Sequence, residues 1–406
     1  MNRPLIALVA ATAVSSAGAA MTLVAVPWFV LHTTGSGAQT GMVAAAEALG
    51  LLLSVALAGP LVDRYGARRM SALADLFTAV SVAAIPVVHG TLGLSLPVLM
   101  LLSLAIGAGR APARTAKQVL LPVTGASIAR GASAQEAVQR LGDLLGAPAG
   151  GVLIALLSPP PVLLLDAATL VAASALVGFF VPKGRSNGTR DQPGYLRELR
   201  ESAVALRRDR LLLSLCLLCA GTNALGIGLF TVLLPAYGTM VWHDSTIVGL
   251  VIAASGAGGL LGSLLFGWLG PRWRRWPTFT ACFLLCGPPA FVLVAADLPP
   301  ALLVAAIGLT ALANGPLNPL IAGVKFDRVA PELRGRVFGA ISSVALAAMP
   351  LGNLLAGVLL DAAGLRTALL VLGGAYLLLT LCPLLFRVWR QLDAPPLVSG
   401  PPGPAG

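Results

Sequence analysis

Twelve apolar runs divide the 406-residue chain, at roughly 5–31, 41–62, 71–89, 95–117, 134–157, 161–181, 210–235, 246–270, 278–296, 300–322, 336–360 and 366–388. Most are about 20 residues long, the length a helix needs to cross a hydrocarbon core of about 30 Å. In lipid every backbone N–H and C=O must be satisfied inside the segment, so repeated runs of this length specify helices rather than a barrel. Charged residues make up only 11% of the chain, against about 25% in soluble proteins. Too little polar surface remains for a water-soluble fold. The chain is expected to be an all-α integral membrane protein that crosses the bilayer twelve times.

The gaps between runs orient it. Those after the even-numbered runs are basic, whereas those after the odd runs are short and small, as in Thr33-Thr34-Gly35-Ser36-Gly37 and Ser158-Pro159-Pro160-Pro161. Of the 27 Lys and Arg residues only Arg366 falls on the odd side, which predicts that both termini are cytoplasmic. The same distribution explains the net charge of +11 without a nucleic-acid partner. At the amino terminus, Arg3 precedes an apolar stretch too long for a signal-peptide core of about 7–15 residues, so it reads as an uncleaved first helix. The expected divisions are a six-helix half at 1–182, a cytoplasmic linker at 183–209, a second six-helix half at 210–390 and a disordered cytoplasmic tail at 391–406. Within the linker, Tyr195–Arg208 reads as an amphipathic interfacial helix, and the tail is rich in Pro and Gly.

Several chemistries are excluded. Cys216, Cys219, Cys282, Cys286 and Cys382 all lie inside apolar runs with no His or carboxylate near them, which marks them as small apolar filler and not metal ligands. There is no GxxxxGK[ST] loop to bind ATP, no HExxH and no nucleophile elbow. No enzyme, metal or cofactor is expected. Arginine far outnumbers lysine and alanine is abundant, the composition of a GC-rich bacterial genome, so the plasma (inner) membrane is the expected location.

The two halves repeat. At an offset of 208, Gly18, Pro27, Gly41, Gly50, Gly59, Leu61 and Arg64 fall on Gly226, Pro235, Gly249, Gly258, Gly267, Leu269 and Arg272, and Pro122 falls on Pro331 one residue later. Parallel halves of this kind place a substrate site near the midplane, where the halves meet.

These residues resemble the major facilitator superfamily over essentially the whole chain. Gly59-x-Leu61-x-Asp63-Arg64-x-Gly66-x-Arg68-Arg69 is similar to the signature loop between helices 2 and 3, and Gly267-x-Leu269-x-x-Arg272 is its weaker echo, with Pro271 in the place of the acid. Ser16-x-Gly18, Val26-Pro27-Trp28, Thr34-Gly35-Ser36, Ala74-Asp75-Leu76, Pro112-Ala113 and Pro331-x-Leu333-Arg334-Gly335-Arg336-Val337 resemble the drug:proton antiporter group that includes macrolide and siderophore exporters. The helix 5 signature of that group departs here, with Ala147 where a glycine would precede Pro148. A nutrient importer or facilitator on the same fold therefore stays open as the alternative to an exporter.

The residues that carry chemistry fall into three sets. Gly59, Asp63, Arg64, Gly66, Arg68 and Arg69 form a gate, and the resemblance implies that Asp63 meets the start of helix 11, next to Arg334 and Arg336. Glu47, Arg110 and Asp143 are the candidates for proton coupling. Glu47, about 9 Å from the outer end of helix 2, shares a small-residue face with Gly50, Ser54 and Ala58. A carboxylate there faces either the bundle interior or the nearby interface. Arg110 and Asp143 are expected at a common level as an ion pair. Asp75 and Asp166 read as charges near helix starts, and Arg114 and Lys117 as the cytoplasmic end of helix 4. Substrate-cavity candidates are Ser15, Ser16 and Thr22 on helix 1, Thr222, Asn223 and Phe230 on helix 7, and Asn318, which the offset pairs with Arg110. The expected activity is proton-coupled efflux of a small amphiphilic organic molecule by a monomer, with the lipid bilayer, protons and the substrate as its partners.

Overall fold

The computed structural model describes residues 2–125, 127–182, 206, 209–270 and 273–394. Twelve helical spans account for it: α1 Arg3–Thr34, α2 Gly37–Tyr65, α3 Ala67–Thr91, α4 Leu96–Val119, α5 Ile128–Leu157, α6 Pro159–Phe180, α7 Arg210–Trp242, α8 Ser245–Leu269, α9 Arg275–Ala295, α10 Pro300–Arg328, α11 Arg334–Ala363 and α12 Leu365–Leu385. There is no strand among the described residues. Each expected run coincides with one span to within a few residues at its ends, and most spans are longer, because polar helix ends add turns that apolar counting misses.

Local chemistry sets those ends. Gly35 closes α1 in the left-handed region at φ 66, and Ser36 caps α2 by accepting from the Gln39 N–H. The charged stretch 59–69 is not an open loop. It is the end of α2, a one-residue turn at Gly66 (φ 81) and the start of α3, a conformation that a β-carbon would strain. Asp209 accepts from the Leu211 and Leu212 N–H groups to start α7. The second-half spans are less regular. Wider turns occupy Leu229–Leu233 and Gly238–Trp242 in α7, Gly287 interrupts α9, and a 3₁₀ turn at Leu312–Asn314 interrupts α10.

Packing follows the duplication. In the first half α1 lies against α5 and α6, α2 against α4, and α3 against α4 and α6; the second half repeats these as α7 with α11 and α12, α8 with α10, and α9 with α12. Glycines permit the closest crossings. A β-carbon at Gly50 would sit 2.0 Å from the Leu104 carbonyl oxygen, and one at Gly107 would sit 1.9 Å from that of Glu47. Their partners at the 208 offset do the same: Gly258 meets the Gly308 oxygen at 2.2 Å, and Gly315 meets the Ser263 nitrogen at 2.1 Å. Small residues at helix contacts are the expected device in lipid, where no hydrophobic force draws helices together. Apolar side chains such as Leu156, Phe179, Trp268 and Leu378 are exposed and suit a lipid environment.

The halves meet through α2 with α11 and α5 with α8. All these close approaches lie toward the face opposite the Gly66 turn. Gly41 packs on the Asn353 and Gly357 backbone, Gly37 on Leu360, Gly249 on Ala147 and Pro148, and Gly151 on Ser245, whose hydroxyl donates to the Gly151 carbonyl at 2.7 Å. Asp361, near the end of α11, clasps the start of α2 by accepting from Ser36 Oγ (2.7 Å), Gly37 N (2.6 Å) and Ala38 N (2.9 Å). A carboxylate on free N–H groups at a helix start is a favourable charge–dipole contact. Toward the basic face, Gly59, Gly66, Gly267, Gly335 and Gly339 have no neighbour within 4 Å of a built β-carbon. Among the described residues the molecule is closed on one face and open on the basic one.

Two expected boundaries meet different outcomes. Residues 391–394 do not belong to a loose tail: Leu392 is buried, and Asp393 accepts from the Trp276 N–H at 3.0 Å and pairs with Arg274 at 3.2 Å. Trp389 stacks on Phe279 just before them, so apolar contact and this ion pair tie the segment to α9. The linker helix expected at 195–208, the Pro271-Arg272 echo and the tail from 395 lie outside the described residues, apart from buried Leu206.

The crossings give a direct test. Gly107→Ala is expected to lower stability by about 1–3 kcal/mol, because the backbone of α2 must shift. Gly374→Ala, with open space around its β-carbon, is expected to leave it unchanged or slightly higher. Melting temperatures of the two variants in the same detergent distinguish these outcomes.

Candidate functional site

The α2–α4 crossing builds the centre of the site. Gly50 lies one turn after Glu47, and Gly107 one turn before Arg110, so backbone contact at the glycines brings the two charged side chains together. Arg110 Nη1 donates to Glu47 Oε1 as an ion pair. Helix α2 starts at Gly37, earlier than the apolar run implied, which puts Glu47 about 15 Å along it, near mid-bilayer. That settles its side: Glu47 faces the protein interior. It also redraws the expected Arg110–Asp143 pair. Both residues line a shared cavity, but the cation is held by Glu47, because the glycine crossing brings α2 closer to Arg110 than α5 comes.

Glu47 and Arg110 line a cleft of about 110 Å³ between the halves. Apolar walls come from Leu23, Pro27, Val43, Ile227 and Met349, and the second half adds Thr231 and Asn353, joined by a 2.8 Å hydrogen bond. Arg110 also lines two larger cavities of about 400 Å³ each. One lies almost wholly in the first half, with Leu346 of α11 at its edge, and the other is bounded by α1, α4, α5 and α8.

The first-half cavity is lined by charge. Ser15, Ser16 and Asp143 border it. Lys117 and Asp75 border it too, not at the helix ends where the sequence places them. Lys117 Nζ lies 3.0 Å from Asp75 Oδ2 and donates to Ser15 Oγ at 2.9 Å, and both charged residues are buried. The cause is helix length: α3 begins at Ala67, so Asp75 is two turns inside it, and α4 continues past Lys117 to Val119. The only signal in the sequence was one acid and one lysine in opposed apolar runs. Asp166 is likewise two turns inside α6 and accepts a hydrogen bond from Thr22. Thr22 is therefore buried in a side-chain bond and lines none of these cavities.

The second-half cavity, about 250 Å³, takes Thr222, Asn223 and Phe230 together with Ser255, Asn314 and Tyr376. No charged side chain lines it among the described residues. Asn318, expected there, is exposed and lines none of the cavities described; Asn314 takes its place, because the 3₁₀ turn at Leu312–Asn314 breaks the helical phase that the offset assumed. The halves thus share a backbone but differ in polarity: Glu47 and Arg110 correspond to Ser255 and Asn318.

At the basic face, Asp63 sits in the last turn of α2, where a negative charge opposes the helix dipole. Asp63, Arg64 and Arg69 are exposed, and Arg68 donates to the Gly178 carbonyl of α6. Arg334 is engaged within its own half, donating to the Phe326 carbonyl at 3.1 Å and the Val329 carbonyl at 3.2 Å while lying over the Phe326 ring. Arg336 is exposed on α11.

The Major Facilitator Superfamily profile matches residues 8–243 and 217–405. The chain belongs to this superfamily. It is 33% identical over 408 residues to the multidrug efflux pump Tap of Mycobacterium tuberculosis (strain CDC 1551 / Oshkosh), covering 97% of this chain and 96% of that protein. It is 32% identical over 401 residues to Tap of Mycolicibacterium fortuitum, covering 96% and 97%. Among solved structures, a variant of the nucleoside transporter NupG superposes with a TM-score of 0.79 at 14% identity, covering 94% of this chain and 99% of that one. A bacterial homologue of the human lysosomal transporter Spinster gives 0.65 at 17% identity, with 96% and 95% covered. The chain is a membrane transporter, and its resemblance to drug:proton antiporters holds at the level of sequence. The plasma membrane, crossed many times, is its location.

The ion pair can be measured as a coupling. Glu47→Ala and Arg110→Ala are each expected to destabilise the protein, and the double variant by less than their sum, with a coupling of about 0.5–3 kcal/mol. A cycle of unfolding measurements in one detergent gives the value directly, and simple additivity would contradict the pairing.

Proposed function

We propose that the chain exports small amphiphilic organic molecules in exchange for protons, by rocking two six-helix halves about the central cleft. One observation carries this reading: the cleft between the halves combines apolar walls with a single mid-bilayer ion pair, Glu47–Arg110. Apolar walls suit an amphiphile better than a sugar or a highly charged metabolite, and an acid inside the membrane marks a proton or substrate pathway. The similarity to Tap over almost the whole chain supports export in place of nutrient uptake. The low identity to NupG bears on the fold alone.

In this reading the basic face is cytoplasmic, as are both termini, in keeping with the inter-helix gaps and helix ends of that side, which hold nearly all the lysines and arginines. The structure is then open toward the cytoplasm and closed outside by the α2–α11 and α5–α8 contacts. The gate at Gly59, Asp63, Arg64, Gly66, Arg68 and Arg69 acts in the other half of the cycle, when the start of α11 with Arg334 and Arg336 approaches the end of α2. There the negative charge of Asp63, unfavourable at the end of its own helix, meets free N–H groups at the start of another. Ser15, Ser16, Thr222, Asn223 and Phe230 supply the flanking subsites, and Asp143 hydrates the larger cavity.

Proteoliposomes with an imposed pH gradient test the reading, with ethidium as a fluorescent amphiphilic probe. Wild-type protein is expected to move ethidium against its gradient when the proton gradient runs the opposite way. Glu47→Gln and Asp63→Asn are each expected to reduce that rate about tenfold while folding normally. Wild-type flux indifferent to the pH gradient would overturn proton coupling, and unchanged flux in either variant would remove that residue from the mechanism.

A further inference from the structure

The acids bordering the central cleft and the first-half cavity are Glu47, Asp75, Asp143 and Asp166. Two are ion-paired, Glu47 with Arg110 and Asp75 with Lys117, while Asp143, without an ion pair among the described residues, is exposed to the cavity near Arg114, Glu136, Arg110 and Arg140.

Asp166 differs. It is 1% exposed, and among the described residues it makes no ion pair. Its polar contacts are two threonine hydroxyls, Thr22 from α1 and Thr169 one turn along α6. Thr169 Oγ1 lies 2.7 Å from the Asp166 backbone oxygen and 3.2 Å from Asp166 Oδ1. A hydroxyl has one hydrogen, and the shorter contact to the carbonyl takes it. Toward Oδ1, Thr169 then presents a lone pair, which repels a carboxylate and accepts from a protonated carboxyl. The site is also shaped for this group. A β-carbon at position 18 would lie 2.1 Å from Asp166 Oδ1 and 2.2 Å from Thr169 Oγ1, so glycine there lets α1 cover the acid without displacing these side chains. The first-half cavity, which runs from Gln118 and Gln135 near the basic face, reaches Asp166 and supplies a route for protons.

We propose that Asp166 binds the transported proton, in a cradle formed by Gly18, Thr22 and Thr169. This rests on the reading of the chain as a proton-coupled transporter. The step is a proton transfer alone: an O–H bond forms at a carboxyl oxygen as one breaks in cavity water, and the reverse releases it. The charged groups of the surrounding helices are Asp75 with Lys117 across α3 and α4, Asp143 on α5, and Arg110 with Glu47, whose fields reach Asp166. Loss of the proton creates a second negative charge facing Arg110, which then competes with Glu47 for the guanidinium. That competition links the proton to the α2–α4 crossing and so to the cleft.

Infrared titration of the purified protein in lipid tests this without a substrate. A protonated-carboxyl C=O band that disappears as the pH is raised is expected in wild-type protein, absent in Asp166→Asn and retained in Glu47→Gln and Asp143→Asn. A band retained in Asp166→Asn, or lost in either of the others alone, overturns the assignment. If Asp166→Asn does not fold, Thr22→Val and Thr22→Ser replace it. The valine is expected to displace the midpoint of the band's titration and the serine to retain it, and no displacement by valine counts against the cradle. Ethidium transport by wild-type protein under a pH gradient, measured alongside, separates the two failures: absent flux removes the proton coupling, whereas driven flux with the band unmoved by Asp166→Asn removes only Asp166.

Discussion

A charge inside a bilayer has no water to answer it, and the first half of this protein is arranged around that constraint. Two acids there are paired with cations, Glu47 with Arg110 and Asp75 with Lys117, which also donates to Ser15, while buried Asp166 meets only hydroxyls. Breaking a buried pair by removing one partner leaves the other uncompensated, which costs several kcal/mol in typical cases. These contacts therefore tie α1, α2, α3, α4 and α6 into one unit. Every charged side chain lining the cavities described also belongs to the first half, whereas the second-half cavity is lined by neutral groups.

Backbone proximity makes the replies possible. Where Gly50 and Gly107 let α2 and α4 touch, the residues one turn away are forced side by side. The second half keeps the same crossing through Gly258, Gly308, Gly262 and Gly315, yet has Ser255 and Asn318 where the charges stood. The scaffold is symmetric and the chemistry is not. For the proton-coupled exporter proposed above, this division would give the proton and the organic molecule separate halves.

Closure of the molecule on one face draws on the same elements. Asp361 caps the start of α2 from the end of α11, while Gly37, Gly41 and Gly357 let those helices close on one another. At the other end of the same helix pair, Asp63 stands at the end of α2 and Arg334 at the start of α11. Each end thus offers one carboxylate and one helix start from opposite halves. In the rocking cycle proposed above, opening one end would bring the other together, exchanging one exposed charge–dipole contact of about 0.3–1 kcal/mol for another of the same kind.

The sequence alone determined twelve spans, the duplication and the superfamily, because span length, turn glycines and basic gaps are local properties of the chain. It also picked out Glu47 and Arg110, since a charge in an apolar run is visible without coordinates. It could not say which charges pair. Arg110 turns to Glu47 and not to Asp143, and Lys117 to Asp75, because helix ends extend beyond their apolar runs and glycines choose which helices touch. The offset that located Asn223 missed Asn314, since one 3₁₀ turn shifted the phase of α10. Asp166 looked like an ordinary acid near a helix start until α1 was seen to close over it. Composition and periodicity fix how many times the chain crosses the membrane; only the crossings between helices decide which of its few charges meet.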